Sequence, residues 1–457
     1  MRKYLFIFLI AICLCSNANA AAQRTEKPEK SIAPSEEVLT LEQTISLALE
    51  NNRLIKNAAL EISKSNEQIA AARTRRYPVF SISVLGARLL QTTTFEFPKG
   101  SMGSFPGIGP VPAQNTEVEA KPSYGAFSSA TINQPLSQQY KIGLGLDLLE
   151  AGAAIAKERL RQQKQSTINE VKHAYYGILQ LQSSLNAAKE AISFYRELTR
   201  VAEQHVLEKT AMKSEAMSVK TRLFNAEKDA LMLNNAVASQ KEQLNRLLGR
   251  DIRAKFAVSS VPEPAPFEAD IEEANATALT HRPEVKEARL KVKQTEYDRR
   301  IKKAEYIPDV SLAFNYVSLF NVSVMPNNMM AAGLLFTWDV FDWGRKNREL
   351  SEKSKTIEQA QNGVKETEAL VLMDVNNQFR KLAEARADMK VSHQALETAK
   401  ENLRTTMNKY AEKTLLLKDV LEAQANLADV NRQYDKSLLN LWTARADFEK
   451  ALGEEYR

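Results

Sequence analysis

Cysteine is almost missing from this 457-residue chain: Cys13 and Cys15 are the only two, and both lie upstream of Ala21. A disulfide framework and a cysteine-held zinc are excluded from the remainder. Histidine is nearly as scarce. His173, His205, His281 and His393 stand far apart, with no HExxH spacing and no Gly-rich phosphate loop, so metal, nucleophilic and nucleotide chemistry have no candidate site. The expectation is a protein that is not an enzyme and holds no cofactor. Basic blocks are missing too: Lys, Arg, Asp and Glu are interspersed throughout, as on solvated helix faces, which argues against a nucleic-acid partner. No uninterrupted apolar run after Ala20 approaches the length of a membrane-spanning helix, so none is expected. Proline is missing from 136–261 and from 327–457. Helix interiors exclude proline, so both stretches are free to be very long helices.

The segment 1–20 carries an export address: Arg2 and Lys3, an apolar run from Leu5 to Leu14, and Ala18-Asn19-Ala20 as a small-x-small cleavage signal. Cleavage would leave a chain starting at Ala21; the competing reading is an uncleaved anchor. Lipidation is disfavoured because Ile12 and Leu14, not small residues, precede the cysteines. Of the formal charge of +6, Arg2 and Lys3 account for two, leaving +4.

The chain repeats itself. Residues 41–83 align without a gap on 271–313 at an offset of 230, placing Pro78 on Pro308 and "PVFSIS" on "PDVSLA". Residues 131–249 align on 335–453 at an offset of 204, placing "EKT" on "EKT" and "LLG" on "ALG". The drop from 230 to 204 means 26 extra residues in the first half, visible as the Gly- and Pro-rich stretch 97–122, which reads as an irregular loop. Its counterpart in the second half is the short "VMPNNMM" at 324–330.

The predicted plan is a segment 1–20 for export, an N-terminal linker 21–40, a first repeat 41–249, a proline-rich linker 250–270 and a second repeat 271–453. Each repeat reads as helix, strand, loop, strand and helical hairpin. Strands are expected at about 79–92, 123–136, 309–322 and 331–341, with hairpins over about 140–249 and 345–453. "NNR" and "HRP" punctuate the first helix of each repeat, and Pro283 can start a helical segment. Gly143, Gly145 and Gly152 read as a turn between strand and helix. The second hairpin carries apolar residues at spacings of three, four and seven, including Val371, Val375, Phe379, Leu382 and Leu396. Some 65 residues of helix span roughly 100 Å, longer than a globular domain of this size can enclose.

The strands alternate. Val310, Leu312, Phe314 and Tyr316 share one face against Ser311, Ala313 and Asn315, and Leu334, Phe336, Trp338 and Val340 alternate with Thr337 and Asp339. That dyad pattern suits a half-buried sheet in a soluble domain or a transmembrane β-strand. Four strands cannot close a barrel, and a membrane tolerates no open sheet edge, so membrane strands would require several copies to share one barrel.

The "ALxxRPEVxxA" pattern (Ala278, Leu279, Arg282, Pro283, Glu284, Val285, Ala288), the proline-strand motif, the tandem repeat, the export address and "YAEKTLLLKDVLEAQANL" at 410–427 together resemble the TolC family of outer-membrane efflux proteins. The resemblance spans essentially the whole exported chain. It implies a mostly α fold with a membrane β-barrel part: a homotrimer whose protomers each give four strands to a twelve-stranded barrel in outer-membrane lipid, continued into the periplasm by an α-barrel of long helical hairpins. It also implies two partners, a periplasmic adaptor (membrane fusion protein) and an inner-membrane pump of RND or ABC type, with drug or small-molecule efflux the favoured task. The same resemblance leaves room for a type I protein secretion outlet. From another class, the competing reading is a periplasmic coiled-coil adaptor or scaffold.

By that resemblance the hairpin turns near 207–215 and 411–419 are periplasmic tips. Lys209, Thr210, Lys413, Thr414, Val420 and Leu421 would contact the adaptor; Tyr410, Leu415, Asp419 and Glu422 would line the pore constriction. The family's tip motif has glycine where this chain has Lys413 and arginine where it has Leu415. The ionic latch is therefore in doubt, and closure would rest more on apolar packing of 415–417. Asp419 and Glu422 would form two acidic rings favouring cations, or be plain solvated carboxylates. Val310, Leu312, Phe314 and Tyr316 are expected to face lipid.

Overall fold

The computed structural model describes residues 37–454 apart from 89, 121–122, 210–211, 262–269, 321–325 and 413. The expected export segment with both cysteines, most of the 21–40 linker, Thr210 and Lys413 therefore lie outside the described residues.

Eight helices are described. In the first repeat they are α1 (Leu41–Asn51), α2 (Arg53–Thr74), α3 (Gln138–Leu207) and α4 (Lys213–Leu247); in the second, α5 (Ile271–His281), α6 (Pro283–Ala304), α7 (Arg345–Ala411) and α8 (Leu417–Leu452). At 70 residues, α3 extends roughly 105 Å at 1.5 Å per residue. Its partner α4 covers only the half towards the hairpin turn, and α2 covers the other half. The two shorter helices meet end to end. There Asn52 caps α2, accepting from the amides of Leu54 and Ile55 at 2.8 and 3.3 Å. Gly249, just past the end of α4, has φ +68°, and a Cβ there would lie 2.3 Å from the carbonyl oxygen of Asn51. Its counterpart Gly453 (φ +75°) passes close to the backbone of Arg282, where a Cβ would meet the amide nitrogen at 2.9 Å. Glycine is required at both ends by the left-handed conformation and by the contact.

The apolar stripes bury into four clusters strung along the helices instead of one core. Ile45, Tyr175, Leu244, Leu248 and Phe256 centre the first, which also takes in Trp442 of α8. Val285, Val375 and Phe448 centre the second. A third joins the hairpin tips, and a fourth joins Ile69, Leu146 and Ala153 beneath the sheet. Complete burial of side chains such as Val375 and Phe448 contributes about 1.5–3 kcal/mol each.

The strands of the main sheet are β2 (Val79–Arg88), β7 (Tyr124–Pro135), β9 (Asp309–Phe320) and β10 (Asn328–Thr337), in the order β10-β9-β7-β2 with every pairing antiparallel. The two repeats join through β7 and β9, leaving β2 and β10 as edges. Ser137 fixes the root of β9: its hydroxyl donates to the carbonyl of Pro308 and accepts from the amide of Val310, both at 2.8 Å. Lys141 pairs with Asp309 at 2.6 Å beside it.

Several expectations need correction. Strand β10 ends at Thr337, so Trp338 and Val340 are not strand residues. The register explains why: Thr337 opposes Asp309, and the next partner would be Pro308, which has no N–H to continue the ladder. At its other end β10 begins at Asn328, inside the stretch read as a loop. The insert 97–122 is not irregular. Strand β3 (Thr93–Phe97) pairs with β6 (Thr116–Ala120), and a small ladder of β4 (Ser104–Phe105) with β5 (Gly109–Pro110) lies between them. Its alternation, with Phe95 opposite Val118 and Glu96 opposite Glu117, is short enough to be masked by the surrounding Gly and Pro.

Gly143, Gly145 and Gly152 form no turn: all three lie within α3. A Cβ at Gly143 would touch only the end of the Arg76 side chain at 3.7 Å, one at Gly152 the end of the Gln294 side chain at 3.6 Å, and one at Gly145 nothing within 4 Å. The described ends of the two linkers are structured too. Strand β1 (Glu37–Leu39) pairs in parallel with β8 (Phe256–Val258), and the Tyr175 hydroxyl sits between the carbonyls of Leu39 and Ser259 at 3.0 and 2.8 Å.

Candidate functional site

The sheet has two chemically distinct faces, and its register identifies them row by row. On one face Phe80, Ile132, Phe314 and Ala332 stand side by side, followed by Ile82, Ala130, Tyr316 and Met330. On the other, Ser81, Thr131, Asn315 and Ala331 share a row, with a 2.5 Å hydrogen bond between the Ser81 and Thr131 hydroxyls. Period-2 alternation in four separate strands has been brought into phase, which only the cross-strand register could do. Val310, Leu312, Phe314 and Tyr316 all lie on the apolar face. Leu312 and Phe314 are exposed, Val310 and Tyr316 half-buried, and the Tyr316 hydroxyl donates to Asn328 at 2.9 Å. Phe80, Ile82 and Val84 continue the same face, each more than 70% exposed. So large an uncovered apolar surface marks a contact surface.

At the opposite end of the molecule the two hairpin turns come together. Leu421 of α8 is buried among Tyr195, Leu198 and Ala202 of α3 and Val219 of α4, and Tyr410 of α7 packs on the same cluster. The Tyr410 ring lies 6.3 Å from that of His205. Burial, with the negative charge of Glu215 adding to it, pushes the Tyr410 phenol above its ordinary value. The predicted tip residues divide by burial. Val420 is fully buried and Leu421 nearly so, which makes them the packing of the tip and not its surface. Lys209 and Thr414 are exposed and Leu415 is half-buried. Lys209 has φ 58°, the left-handed conformation that turns the chain out of α3. Thr414 closes the other turn, its amide and hydroxyl donating to the Lys409 carbonyl at 2.9 and 2.8 Å.

The two acidic candidates differ. Glu422 is exposed on α8. Asp419 is half-buried, and its carboxylate accepts the amide of Leu416 at 3.0 Å, tying it to the first turn of α8. It therefore has a local job whatever else it does, as acidic residues in a first helical turn commonly do.

Sequence reasoning missed a polar seam between α3 and α8. Asp447 accepts from Asn169 and contacts the His173 imidazole, each at 2.8 Å, while Lys172 pairs with Glu449 at 2.6 Å. Further along, buried Asp435 accepts from Ser183 and Ser184 at 2.9 and 3.2 Å. The signal available was that these residues stand on otherwise apolar faces. Among the described residues no group of three His, Cys, Asp or Glu side chains could hold a metal ion, and no helix is long and apolar enough to cross a membrane.

A family model described as outer membrane efflux protein matches residues 44–250 and 276–454. No sequence among the curated proteins matches the chain. Among solved structures, the CmeC outer membrane channel of Campylobacter jejuni is similar with a TM-score of 0.74 at 17% identity, covering 95% of this chain and 92% of its own. The outer-membrane channel OprN gives 0.72 at 17% identity, covering 90% and 89%. The MtrE outer membrane channel of Neisseria gonorrhoeae, described in its open state, gives 0.69 at 16% identity, covering 90% and 88%.

Proposed function

The chain belongs to the outer membrane efflux protein family, and from that premise we propose that three copies form the outer-membrane conduit of a tripartite efflux machine. The exported cargo is drug-sized or other small molecules. They are delivered by an inner-membrane pump of RND or ABC type through a periplasmic adaptor. The conduit performs no chemistry, and the energy comes from the pump.

One observation carries this reading: a four-stranded sheet with an exposed apolar face ends in two unpaired edges, β2 and β10. Hydrocarbon offers no partner for edge N–H and C=O groups, so such a sheet is admissible in lipid only when other copies complete it. The outer strands run in opposite directions, so β10 of one copy and β2 of the next meet antiparallel. Three copies give twelve strands, an even number as such barrels have. The apolar face, with Val310, Leu312, Phe314 and Tyr316, then meets lipid and the Ser, Thr and Asn face lines the lumen.

The hairpin tips lie at the periplasmic end, where Lys209, Thr210, Lys413 and Thr414 meet the adaptor over the packed Val420 and Leu421. Asp419 and Glu422, with Tyr410 and Leu415 beside them, surround the constriction. The deciding experiment is the mass and location of the native protein: a trimer extracted by detergent from the outer membrane is expected, and a monomer in the soluble periplasm overturns the proposal. For the constriction, Asp419→Asn with Glu422→Gln removes both charges while Asn can still accept the Leu416 amide. Reduced cation preference in single-channel recordings is expected, and unchanged selectivity removes the pair from the pore.

A further inference from the structure

The lumen-side face of the sheet changes character along the strands. Near the helices the lumen-side face of the proposed channel carries Ser81, Thr131 and Asn315, and the next row out is Ser83, Ser129, Val317 and Met329. One row further out it becomes Leu85, Phe127 and Leu319, three direct cross-strand neighbours, with Asn327 opposite Leu319 as the one polar member of the row. On the opposite face the apolar rows give way to Ser128, Ser318 and Asn328 beside the exposed Val84, and one row further out the exposed Phe320 stands beside Ala126 and Gly86. Leu85 is 62% and Phe127 39% exposed while Leu319 is half-buried, so Leu85 is largely, and Phe127 partly, uncovered within the protomer.

We propose that Leu85, Phe127 and Leu319 of the three copies form an apolar collar that closes the outer mouth of the lumen to water-soluble molecules. The collar rests on the trimeric reading with the Ser, Thr and Asn face inward. Barrel geometry makes it feasible. Eight-stranded barrels are filled by their own side chains and barrels of sixteen strands leave an open channel, so twelve strands leave a space that nine Leu and Phe side chains in one layer can narrow substantially. Apolar constrictions gate by expelling water, with no charged group needed. The occupant of each apolar row is thus the same row of the other two copies, brought opposite by the closure that the free edges of β2 and β10 demand. A passing hydrophobic cargo would part the side chains from inside, while small polar solutes outside would meet a dry layer.

The test exploits the scarcity of cysteine. With Cys13 and Cys15 both upstream of Ala21, Thr131→Cys puts a thiol below the collar, and the unsubstituted protein gives the background. A membrane-impermeant sulfonated maleimide is added outside intact cells and the labelling rate measured with the collar present and with Leu85→Ser and Phe127→Ser. Removal of the collar is expected to raise the rate at Thr131→Cys about tenfold or more, as loss of a dewetted barrier should. Equal rates, fast or slow, overturn the collar. Leu85→Ala with Phe127→Ala is read in the same way if the serine variant fails to assemble. Labelling of Ile82→Cys in place of Thr131→Cys would mean that the opposite face lines the lumen, a failure of the underlying channel reading distinguishable from failure of the collar alone.

Discussion

The side-chain amide of Asn52 donates to the main-chain carbonyl of Leu247 at 2.8 Å, joining residues 195 positions apart. One repeat later the equivalent pair is Arg282 and Ala451, where the guanidinium reaches the carbonyl at 3.3 Å. The same helix-end junction is thus made by two chemistries. Asn52 both caps α2 and satisfies the end of α4. Arg282 caps nothing, because a guanidinium has no acceptor to offer the first helical amides, and its charge is matched by Glu284 at 3.1 Å and Asp374 at 3.0 Å.

Replacing Asn52 with alanine removes a cap and leaves the Leu247 carbonyl unpartnered, at a cost of about 2–3 kcal/mol. Arg282→Ala should cost a similar amount, about 1–3 kcal/mol, because it leaves the Ala451 carbonyl unpartnered and removes the cation from two partly exposed carboxylates. Denaturant unfolding of the purified protein measures both, and an Asn52→Ala variant as stable as the parent would show that the junction holds without its side chain.

Tyr175 ties β1 and β8 to α3, and the repeat alignment places Phe379 at its counterpart, in contact with Phe448 at a ring distance of 6.0 Å. The hydroxyl is therefore needed only where the two linkers pair. Tyr175→Phe should cost about 1–2 kcal/mol and increase proteolytic cutting of 250–270 before it affects the hairpins. Cutting at the parent rate would argue against the clasp.

Asp435 should respond to pH in one direction. Burial pushes its carboxyl above the ordinary value despite the hydrogen bonds from Ser183 and Ser184. The folded state thus holds the proton more tightly than the unfolded chain, and stability falls as pH rises from the unfolded value through the folded one. Asp435→Asn should be at least as stable as the parent at pH 8, with its advantage vanishing in acid. Thermal melts across pH decide it; an Asn variant that is less stable at pH 8 contradicts the assignment.

Asp447 should respond the other way. Burial pushes its carboxyl up, but the His173 and Asn169 hydrogen bonds and the nearby positive charge outweigh that and hold it below the usual range. Its contribution is complete above the unfolded value and is lost as pH falls through the folded one. Asp447→Asn should therefore cost about 1–3 kcal/mol at neutral pH, with the difference shrinking in acid. A gap that widens on acidification would refute the sign.

Much of the fold was legible because proline and periodicity act locally. Pro78 and Pro308 mark the strand roots, and the proline-free stretches became α3 with α4 and α7 with α8 close to the expected ends. What escaped depends on partners distant in sequence. The end of β10 is set by Pro308 across the ladder, not by anything near Trp338. The β1–β8 pair is only three residues on each side, too short to show a period. At the tips, Leu421 reads as surface because its cover comes from Tyr195, Leu198 and Val219 of the other hairpin. The two halves of the acidic pair separate only when the Leu416 amide is seen to point at Asp419.

The free edges of the sheet bear on how such a channel comes into being. A lone protomer in hydrocarbon would leave the 10-residue strands β2 and β10 without partners on their outer sides, with each stranded group costing several kcal/mol. Dimers are no better, since joining two copies hides one seam and still leaves two raw ends. In the proposed trimer, membrane entry and oligomer closure are therefore expected to be a single event. When protomers are scarce the outcome is no channels at all, instead of fewer and smaller ones, and a defective copy spoils the ring it joins.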